Sequence, residues 1–549
     1  MGKNEMAKIA DAATSQRQCV AVKTENLGRG SSLKLLRRQF LAGLASAPLA
    51  SALATAGSAK LAAEVSTSVQ LVPPDGSTFD NAWLVKEASR LASSKYVAPA
   101  SELPGGFDSL TYDQYRDIRF KEESRVWRDE NLQFQLDVLP VGFYFTKAVH
   151  IGVVSEGEVT PIVSAPGMFQ FGPAVPPLPK GTALPFSGFR VRNQINNPGV
   201  WDEFLVFQGA SYFRAVAKAQ LYGLSTRGLS INTATAQGEE FPDFTAFWIE
   251  KPAPGSNFIV IHALLDGPSV TGAYRFTVRP GVETVVDVEA TIFARADLTN
   301  FGLGPLTTMF LFDNTNRQKF DDFRPAVHDS NGLQMLSGAG EWIWRPLANP
   351  VELQVSAFVD NGIRGFGLIQ RSVKFNDFED LEALYERRPS LWVEPVGDWG
   401  KGQVQLVEIP TMLETSDNIV AFWKPNDPLQ AGNSLAFSYR LRWGNGPGDE
   451  EELARVNYSR MGLSFDKQRL LFILDFDKPF APEEAASVVA STSAGKISNT
   501  VMQANPSSGG SRVSFELDTE DAKLVELRLQ LKTGDKPVSE TWLYRWTAS

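Results

Sequence analysis

The 549-residue chain has little cysteine, little histidine and no excess of positive charge. Its one cysteine is Cys19, and its three histidines, His150, His262 and His328, lie far apart in the sequence. A disulfide framework and a thiolate metal site are therefore excluded, and a histidine-based zinc site is not expected. A net charge of −10 argues against a basic surface for phosphates, so nucleic acid is not an expected partner. Nothing in the sequence indicates a cofactor.

Aromatic and turn-forming residues, by contrast, are abundant. The chain has 36 Phe, 12 Trp and 11 Tyr together with 44 Gly and 33 Pro. Short β-rich runs bounded by turn residues recur along it, and residues 435–443 alternate between apolar and polar side chains. Convincing helical patterns are confined to residues 79–94, a short segment from Thr111, and residues 378–388. These patterns predict an all-β fold whose antiparallel sheets pack as a large sandwich.

The N-terminal segment carries the features of an export signal. Residues 1–33 are polar and without periodicity, which predicts disorder. Arg37 and Arg38 then precede a mildly apolar run, and residues 54–56 read Ala-Thr-Ala, a small-residue cleavage signature. The pattern predicts that residues 1–59 comprise a disordered start and a twin-arginine signal peptide, with the periplasm as destination. The alternative is a short N-terminal helix or membrane anchor.

The rest of the chain divides at a charged, turn-rich segment. Residues 444–452 read Gly-Asn-Gly-Pro-Gly-Asp-Glu-Glu-Glu, which is typical of a linker. We expect residues 66–443 to form the large β-sandwich. Residues 453–549 contain short alternating runs and predict a small immunoglobulin-like sandwich.

Residues 388–423 are the stretch best suited to chemistry. Two apolar runs, 404–410 and 419–423, predict strands, and the connector 411–418 between them carries two carboxylates. Tryptophans and further acids lie just upstream. Indole rings can stack on sugar rings, and carboxylates can accept bonds from hydroxyls or transfer protons at a glycosidic bond. The alternative is an ordinary β-hairpin with a polar loop and tryptophans in the core.

Seven longer strings occur in order along the chain: 209–215 (GASYFRA), 241–248 (FPDFTAFW), 271–274 (TGAY), 327–330 (VHDS), 340–347 (GEWIWRPL), 388–395 (RPSLWVEP) and 539–544 (SETWLY). Through them the chain resembles the periplasmic glucans biosynthesis proteins usually named G and D. The resemblance runs from about residue 80 to the C-terminus. The twin-arginine signal makes the chain look most like the D member.

The resemblance implies a periplasmic protein that takes part in making osmoregulated periplasmic glucans, which have a β-1,2-linked backbone. It implies a galactose mutarotase-like large sandwich, an immunoglobulin-like C-terminal domain, and an inverting glycoside hydrolase that cleaves β-1,2-glucan internally. It also implies that Asp417 is the general acid, that Asp329 is the base-side carboxylate, and that Glu414 belongs to the site. An inner-membrane glucan synthase is a candidate partner besides the glucan itself.

Further sugar contacts are predicted from residue type and from position within these strings. The candidates are Tyr212, Arg214, Trp248, His328, Trp342, Trp392 and Glu394. Each has a structural alternative, since large sandwiches bury aromatic rings and a buried His–Asp pair can be purely structural. Two other functions also stay open. One is a non-catalytic glucan-binding scaffold that assists release, branching or modification, and the other is a mutarotase-like isomerase.

Overall fold

The computed structural model describes residues 70–74, 76–99, 103–448, 453–480 and 486–548. The predicted export signal and its cleavage site, and the part of the predicted linker from 449 to 452, lie outside the described residues. Within the described ranges the chain is almost entirely β-structure, with two α-helices and four short 3₁₀ turns. The predicted all-β class is thus confirmed.

The strands are β1 Ile118–Phe120, β2 Gln135–Pro140, β3 His150–Ser155, β4 Glu158–Pro161, β5 Phe169–Phe171, β6 Phe186–Asn193, β7 Asp202–Gln208, β8 Tyr212–Ala215, β9 Ser225–Arg227, β10 Ser230–Ile231, β11 Asp243–Glu250, β12 Ile259–Asp266, β13 Val270–Arg279, β14 Thr284–Ala294, β15 Phe301–Thr308, β16 Phe310–Phe312, β17 Val327–His328, β18 Gly332–Leu336, β19 Trp342–Pro346, β20 Gln354–Asn361, β21 Gly365–Ile369, β22 Ser390–Val396, β23 Lys401–Glu408, β24 Ile419–Pro425, β25 Ser434–Gly444, β26 Val456–Leu463, β27 Leu470–Phe476, β28 Ala486–Thr492, β29 Lys496–Asn505, β30 Gly510–Asp518, β31 Leu524–Thr533, β32 Lys536–Pro537 and β33 Thr541–Thr547.

The two helices are α1, Asn81–Ala92, and α2, Tyr112–Arg116. Asp80 caps α1 by accepting a bond from the Trp83 backbone N–H at 2.7 Å, which satisfies one of the free donors at a helix start. Thr111 caps α2 through a reciprocal capping box. Both helices lie where the sequence predicted them, and the buried side of α1 packs on the outer face of the large sheet that contains β12 and β13.

The third predicted helix, over residues 378–388, is wrong. The segment instead forms two 3₁₀ turns, Phe375–Asp377 and Tyr385–Arg387, joined by an irregular bend. Leu384 and Glu379 have φ values of 48° and 55°, a left-handed backbone that interrupts a helix. Between them the Asp380 side chain accepts two backbone N–H bonds at 2.8 Å. These local bonds replace those that a helix would have made.

Two large sheets form the main sandwich. One has ten strands in the order β2-β6-β7-β8-β9-β15-β24-β23-β20, with β10 beside β15. The other has fifteen, in the order β28-β31-β33-β19-β18-β21-β22-β25-β14-β13-β12-β11-β3-β4, with β32 beside β31. Apolar side chains of both sheets meet in one extensive core that includes Phe276, Trp423 and Trp443. Burial of this facing apolar surface is the main force that holds the sheets together.

The C-terminal part forms a second, smaller sandwich. A four-stranded sheet, β26-β27-β30-β29, packs on β28, β31 and β33 through a core that contains Phe472, Phe515 and Trp542. Strand β33 also pairs in parallel with β19, at Ile343 and Trp344. The fifteen-stranded sheet therefore continues from one sandwich into the other. That residues 453–549 form an independent immunoglobulin-like domain stays a prediction.

Candidate active site

The hairpin of β23 and β24 presents the predicted acid loop. Its ends are closed by the Ile409 N–H, which donates to the Asn418 carbonyl at 2.8 Å, and by the Asn418 amide, which donates to the Ile409 carbonyl at 3.0 Å. Within the loop, the Asp417 side chain is 1% exposed and that of Glu414 is 42% exposed. The predicted hairpin and its carboxylate-bearing connector are both present.

Asp417 lies against strand β8. The Arg214 guanidinium donates to Asp417 Oδ2 at 3.3 Å and to the Gly223 carbonyl at 3.3 Å. Tyr212 precedes Arg214 by two residues and so points to the same face of the strand. Burial raises the pKa of Tyr212, with the charges of Glu239 and Asp417 adding to the rise and that of Arg227 opposing it. The structure thus brings three predicted site residues together: Tyr212, Arg214 and Asp417.

Asp329 lies just beyond strand β17, beside His328. Its backbone N–H donates to the Met309 carbonyl at 2.9 Å, and its buried carboxylate pairs with Arg388 at 3.4 Å. The His328 ring stacks on Phe310, with ring centres 5.5 Å apart. Burial lowers the pKa of His328 to about 3, although the neighbouring Asp329 opposes this shift. His328 is therefore neutral at ordinary pH.

Two connections bring the Asp417 and Asp329 segments into one region. First, the Phe310 N–H donates to the Asn418 side chain at 2.9 Å, while β16 pairs with β17. Second, Arg388, which pairs with Asp329, donates to the carbonyl of Tyr222 at 2.5 Å. Arg214, which pairs with Asp417, binds the very next carbonyl along the chain. The two Asp–Arg pairs are therefore anchored on adjacent peptide groups.

Glu414 is held by an arginine that the sequence did not indicate. Arg324 Nη2 lies 2.6 Å from Glu414 Oε2, and the same guanidinium also pairs with Asp322 and Asp380, each at 2.8 Å. One cation thus ties the acid loop to two other loops. Neither Arg324 nor Arg388 lies close in sequence to the acid that it holds, so no local spacing could have revealed them.

The tryptophan predictions are corrected by burial. Trp248 is fully buried beneath α1, where its ring stacks on Phe79 at 5.1 Å and its indole N–H donates to the Leu71 carbonyl at 2.8 Å. Trp342 and Trp392 are also buried and stack on each other at 5.7 Å, within the core shared with the C-terminal strands. All three rings are buried, so all three tryptophans are core residues.

Glu394 is likewise separate from the acid loop. Its neighbours Leu391 and Val393 point into the main core, so by strand alternation Glu394 lies on the opposite face of β22. There it pairs with Arg442 at 3.0 Å. Glu394 is thus part of a surface ion pair, and its predicted sugar contact is corrected.

No helix in the described ranges combines the length and apolar character of a membrane span. No group of three or more His, Cys, Asp or Glu side chains among those residues is arranged to hold a metal ion.

Comparison with known proteins gives a clear family. The family described as "Periplasmic glucan biosynthesis protein, MdoG" matches residues 79–546. Glucans biosynthesis protein G of Shewanella sp. (strain ANA-3) is 50% identical over 474 residues, covering 86% of this chain and 87% of that protein. Glucans biosynthesis protein G 1 of Shewanella oneidensis matches with the same identity and coverage. A solved structure, Slr1438 protein from Synechocystis sp. PCC 6803, covers 64% of this chain and 100% of that chain at 9% identity and a TM-score of 0.16, a likeness that carries no inference.

The chain therefore belongs to the MdoG family of periplasmic glucan biosynthesis proteins. It is a periplasmic protein with a role in glucan biosynthesis, and the family expected from the seven strings is confirmed. Both of these Shewanella relatives are named as glucans biosynthesis protein G. The finer resemblance to the D member, which depends on the twin-arginine signal, stays a prediction.

Proposed function

We propose that this protein hydrolyses the β-1,2-linked backbone of a glucan at internal bonds, with inversion at the anomeric carbon. The observation that carries the proposal is the convergence of two buried aspartates, Asp417 and Asp329, each held by its own arginine on adjacent carbonyls. Inverting glycosidases need one carboxyl to protonate the leaving oxygen and a second to activate water. The two aspartates supply this pair.

In this mechanism the proton of Asp417 passes to the glycosidic oxygen as the bond to the anomeric carbon breaks, through a bound water because the Asp417 side chain is 1% exposed. Arg214, 3.3 Å from Asp417 Oδ2, then stabilises the carboxylate that forms. A water attacks the opposite face of the anomeric carbon and loses its proton towards Asp329. Because the Asp329 side chain is 0% exposed, that proton must travel through a substrate hydroxyl or a further water. Glu414, tied to Arg324, holds the acid loop in place.

The test is incubation of the mature protein with linear β-1,2-glucan, with reducing ends and product length measured over time. Proton NMR of the first products should show the α-anomer, as inversion requires. Asp417→Asn and Asp329→Asn should each lower turnover by about 10²–10⁴ while glucan binding survives. Asp427→Asn, at an exposed position, is the matched control and should retain full activity. Full activity in Asp417→Asn would refute the assignment of the acid.

A second candidate is a glucan-binding scaffold without catalysis, fed by the candidate inner-membrane synthase. It is favoured by the ion pairs themselves, since a buried aspartate held by arginine is also a common structural device. If the protein is a scaffold, wild-type protein should bind the glucan and release no new reducing ends. Cells that carry Asp417→Asn should then still produce the glucan. A mutarotase-like isomerase would instead speed the exchange of glucose anomers and leave glucan length unchanged.

A further inference from the structure

A polar cavity of about 360 Å³ lies between the large sandwich and strand β26 of the C-terminal part. We propose that this interdomain cavity binds a neutral sugar unit, at a site separate from the acid loop. Its volume falls in the range of small-molecule sites, about 300–1,000 Å³, and suits a unit of one or two sugar rings. The proposal concerns binding alone and does not depend on hydrolysis.

Both sandwiches build the walls of the cavity. Asp313, Asn314 and Asp377 line it from the large sandwich, and Asn457 and Tyr458 line it from β26. The Tyr458 hydroxyl donates to Asp377 Oδ1 at 3.1 Å, and the N–H of Met461 contacts the Asn314 carbonyl at 3.4 Å. These contacts cross the cavity edge, so the site exists only when the C-terminal strands are docked.

The charges around the cavity favour a neutral hydroxyl donor. The lining cation Arg460 pairs with Asp475 at 2.5 Å, and the two lining carboxylates, Asp313 and Asp377, oppose the binding of an anion. Asp313 receives two bonds from Thr315, at 2.7 and 2.6 Å, both on Oδ1. Burial raises the pKa of Asp313 to about 6, and the same burial disfavours an added negative charge. Sugar hydroxyls can donate to these carboxylates and accept from side-chain amides.

Three lining side chains have unused hydrogen-bonding capacity. The side-chain amides of Asn376 and Asn457, at the exposed rim, make no hydrogen bond within the part of the chain that the structure describes. His328 is 1% exposed and also lines the cavity, and its Nδ1 has no hydrogen-bond partner within the described ranges. A ligand hydroxyl could bond to this buried nitrogen and satisfy it.

The position of His328 places the cavity next to the proposed active site. His328 is the residue immediately before Asp329, the proposed base-side carboxylate. A sugar that bonds to His328 would therefore contact the same short strand, β17, that positions Asp329.

The experiment is hydrogen exchange measured by mass spectrometry on the mature, full-length protein. The probe is sophorose, the β-1,2-linked disaccharide of glucose. At a concentration equal to its dissociation constant it should slow exchange about twofold in peptides that cover 311–316 and 456–461. Asn457→Trp, which fills the rim, should abolish this protection, and Gln503→Trp, on an exposed position of β29, should leave it intact. Asn457→Ala should weaken this protection, and it replaces Asn457→Trp as the test if the tryptophan variant misfolds.

The outcomes separate this proposal from the hydrolase proposal. Slower exchange in residues 409–418 that persists in Asn457→Trp would show that sophorose binds at the acid loop, independently of the cavity. Protection of 311–316 in a protein that cleaves no glucan would support the cavity and leave hydrolysis refuted. No sophorose effect on either cavity peptide would overturn the inference. Equal protection by glycerol, or protection by calcium chloride but not by sophorose, would overturn the sugar assignment.

Discussion

Replacing Glu540 with glutamine should weaken the docking of the C-terminal strands on the large sandwich. The Glu540 side chain is fully buried and accepts two bonds from the Arg371 guanidinium, at 2.5 and 2.8 Å. It accepts a third from the Val456 N–H at 2.7 Å. Arg371 in turn lies over the ring of Trp344, at 3.7 Å from its centre. This ion pair thus joins the segment after β21 to both β26 and β33.

The size of the loss follows from burial. Glutamine keeps the side-chain volume and one oxygen for the Val456 N–H, but it removes the negative charge. Arg371, whose side chain is 8% exposed, keeps its contact with Trp344 and its bond to the Val456 carbonyl, yet loses its counter-charge. Breaking a buried ion pair from one side costs about 3–5 kcal/mol, because the remaining charge stays out of water. We expect a loss in that range.

The assay is guanidinium unfolding followed by tryptophan fluorescence, together with amide exchange in β33. The double variant, Glu540→Gln with Arg371→Met, should lose less stability than the sum of the losses in the two single variants, because neither charge is left alone. Glu289→Gln is the control: its pair with Arg275 is 54% and 30% exposed, so the loss should stay below about 1 kcal/mol. Additive losses in the double variant, or equal losses in Glu540→Gln and Glu289→Gln, would refute the reasoning.

Three further changes have defined outcomes in chemical unfolding. Burial lowers the folded-state pKa of His328 to about 3. As the pH falls below about 6.5, only the unfolded chain therefore binds a proton at this residue. Wild type should lose about 2 kcal/mol of its free energy of unfolding by pH 5 through this group, and His328→Phe should not. Gly332→Ala should cost about 1–3 kcal/mol because its Cβ would lie 2.0 Å from the Trp344 ring, whereas Gly462→Ala, with open space around it, should change stability by less than about 1 kcal/mol. Asn418→Ala should cost about 2–4 kcal/mol, because it leaves a buried N–H and a buried carbonyl unpaired.

Local sequence patterns predicted most of the strands because alternation and turn residues act within a few positions. Residues 435–443, for example, lie within β25. The same reasoning failed at residues 378–388, where the sequence pattern predicted a helix. The side chain of Asp380, held by Arg324 from a distant loop, stabilises a bend there instead. Helical periodicity does not reveal that tertiary contact.

The candidate site was predictable only in part. Asp417, Asp329 and Glu414 came from family strings, and Arg214 from a string as well. The arginines that hold Asp329 and Glu414 depend on loops brought together by the fold. The tryptophans failed for another reason: an indole suits a sugar platform and a sandwich core equally well by composition. Only burial separates the two, as Trp248 shows with its fully enclosed ring.

Strand register explains why the segments that carry Asp417 and Asp329 lie near each other. Strand β15 runs antiparallel to β24 with Thr308 opposite Ile419, so the residues just after Thr308 must lie beside those just before Ile419. The chain then continues from β15 into β16, which pairs with β17 and brings Asp329 to the same place. A slip of one residue between β15 and β24 would exchange the faces of Asp417 and its neighbour Asn418. The Asn418 side chain, bonded to the Phe310 N–H, opposes that slip. It therefore sets the position of Asp417 without needing to touch a substrate.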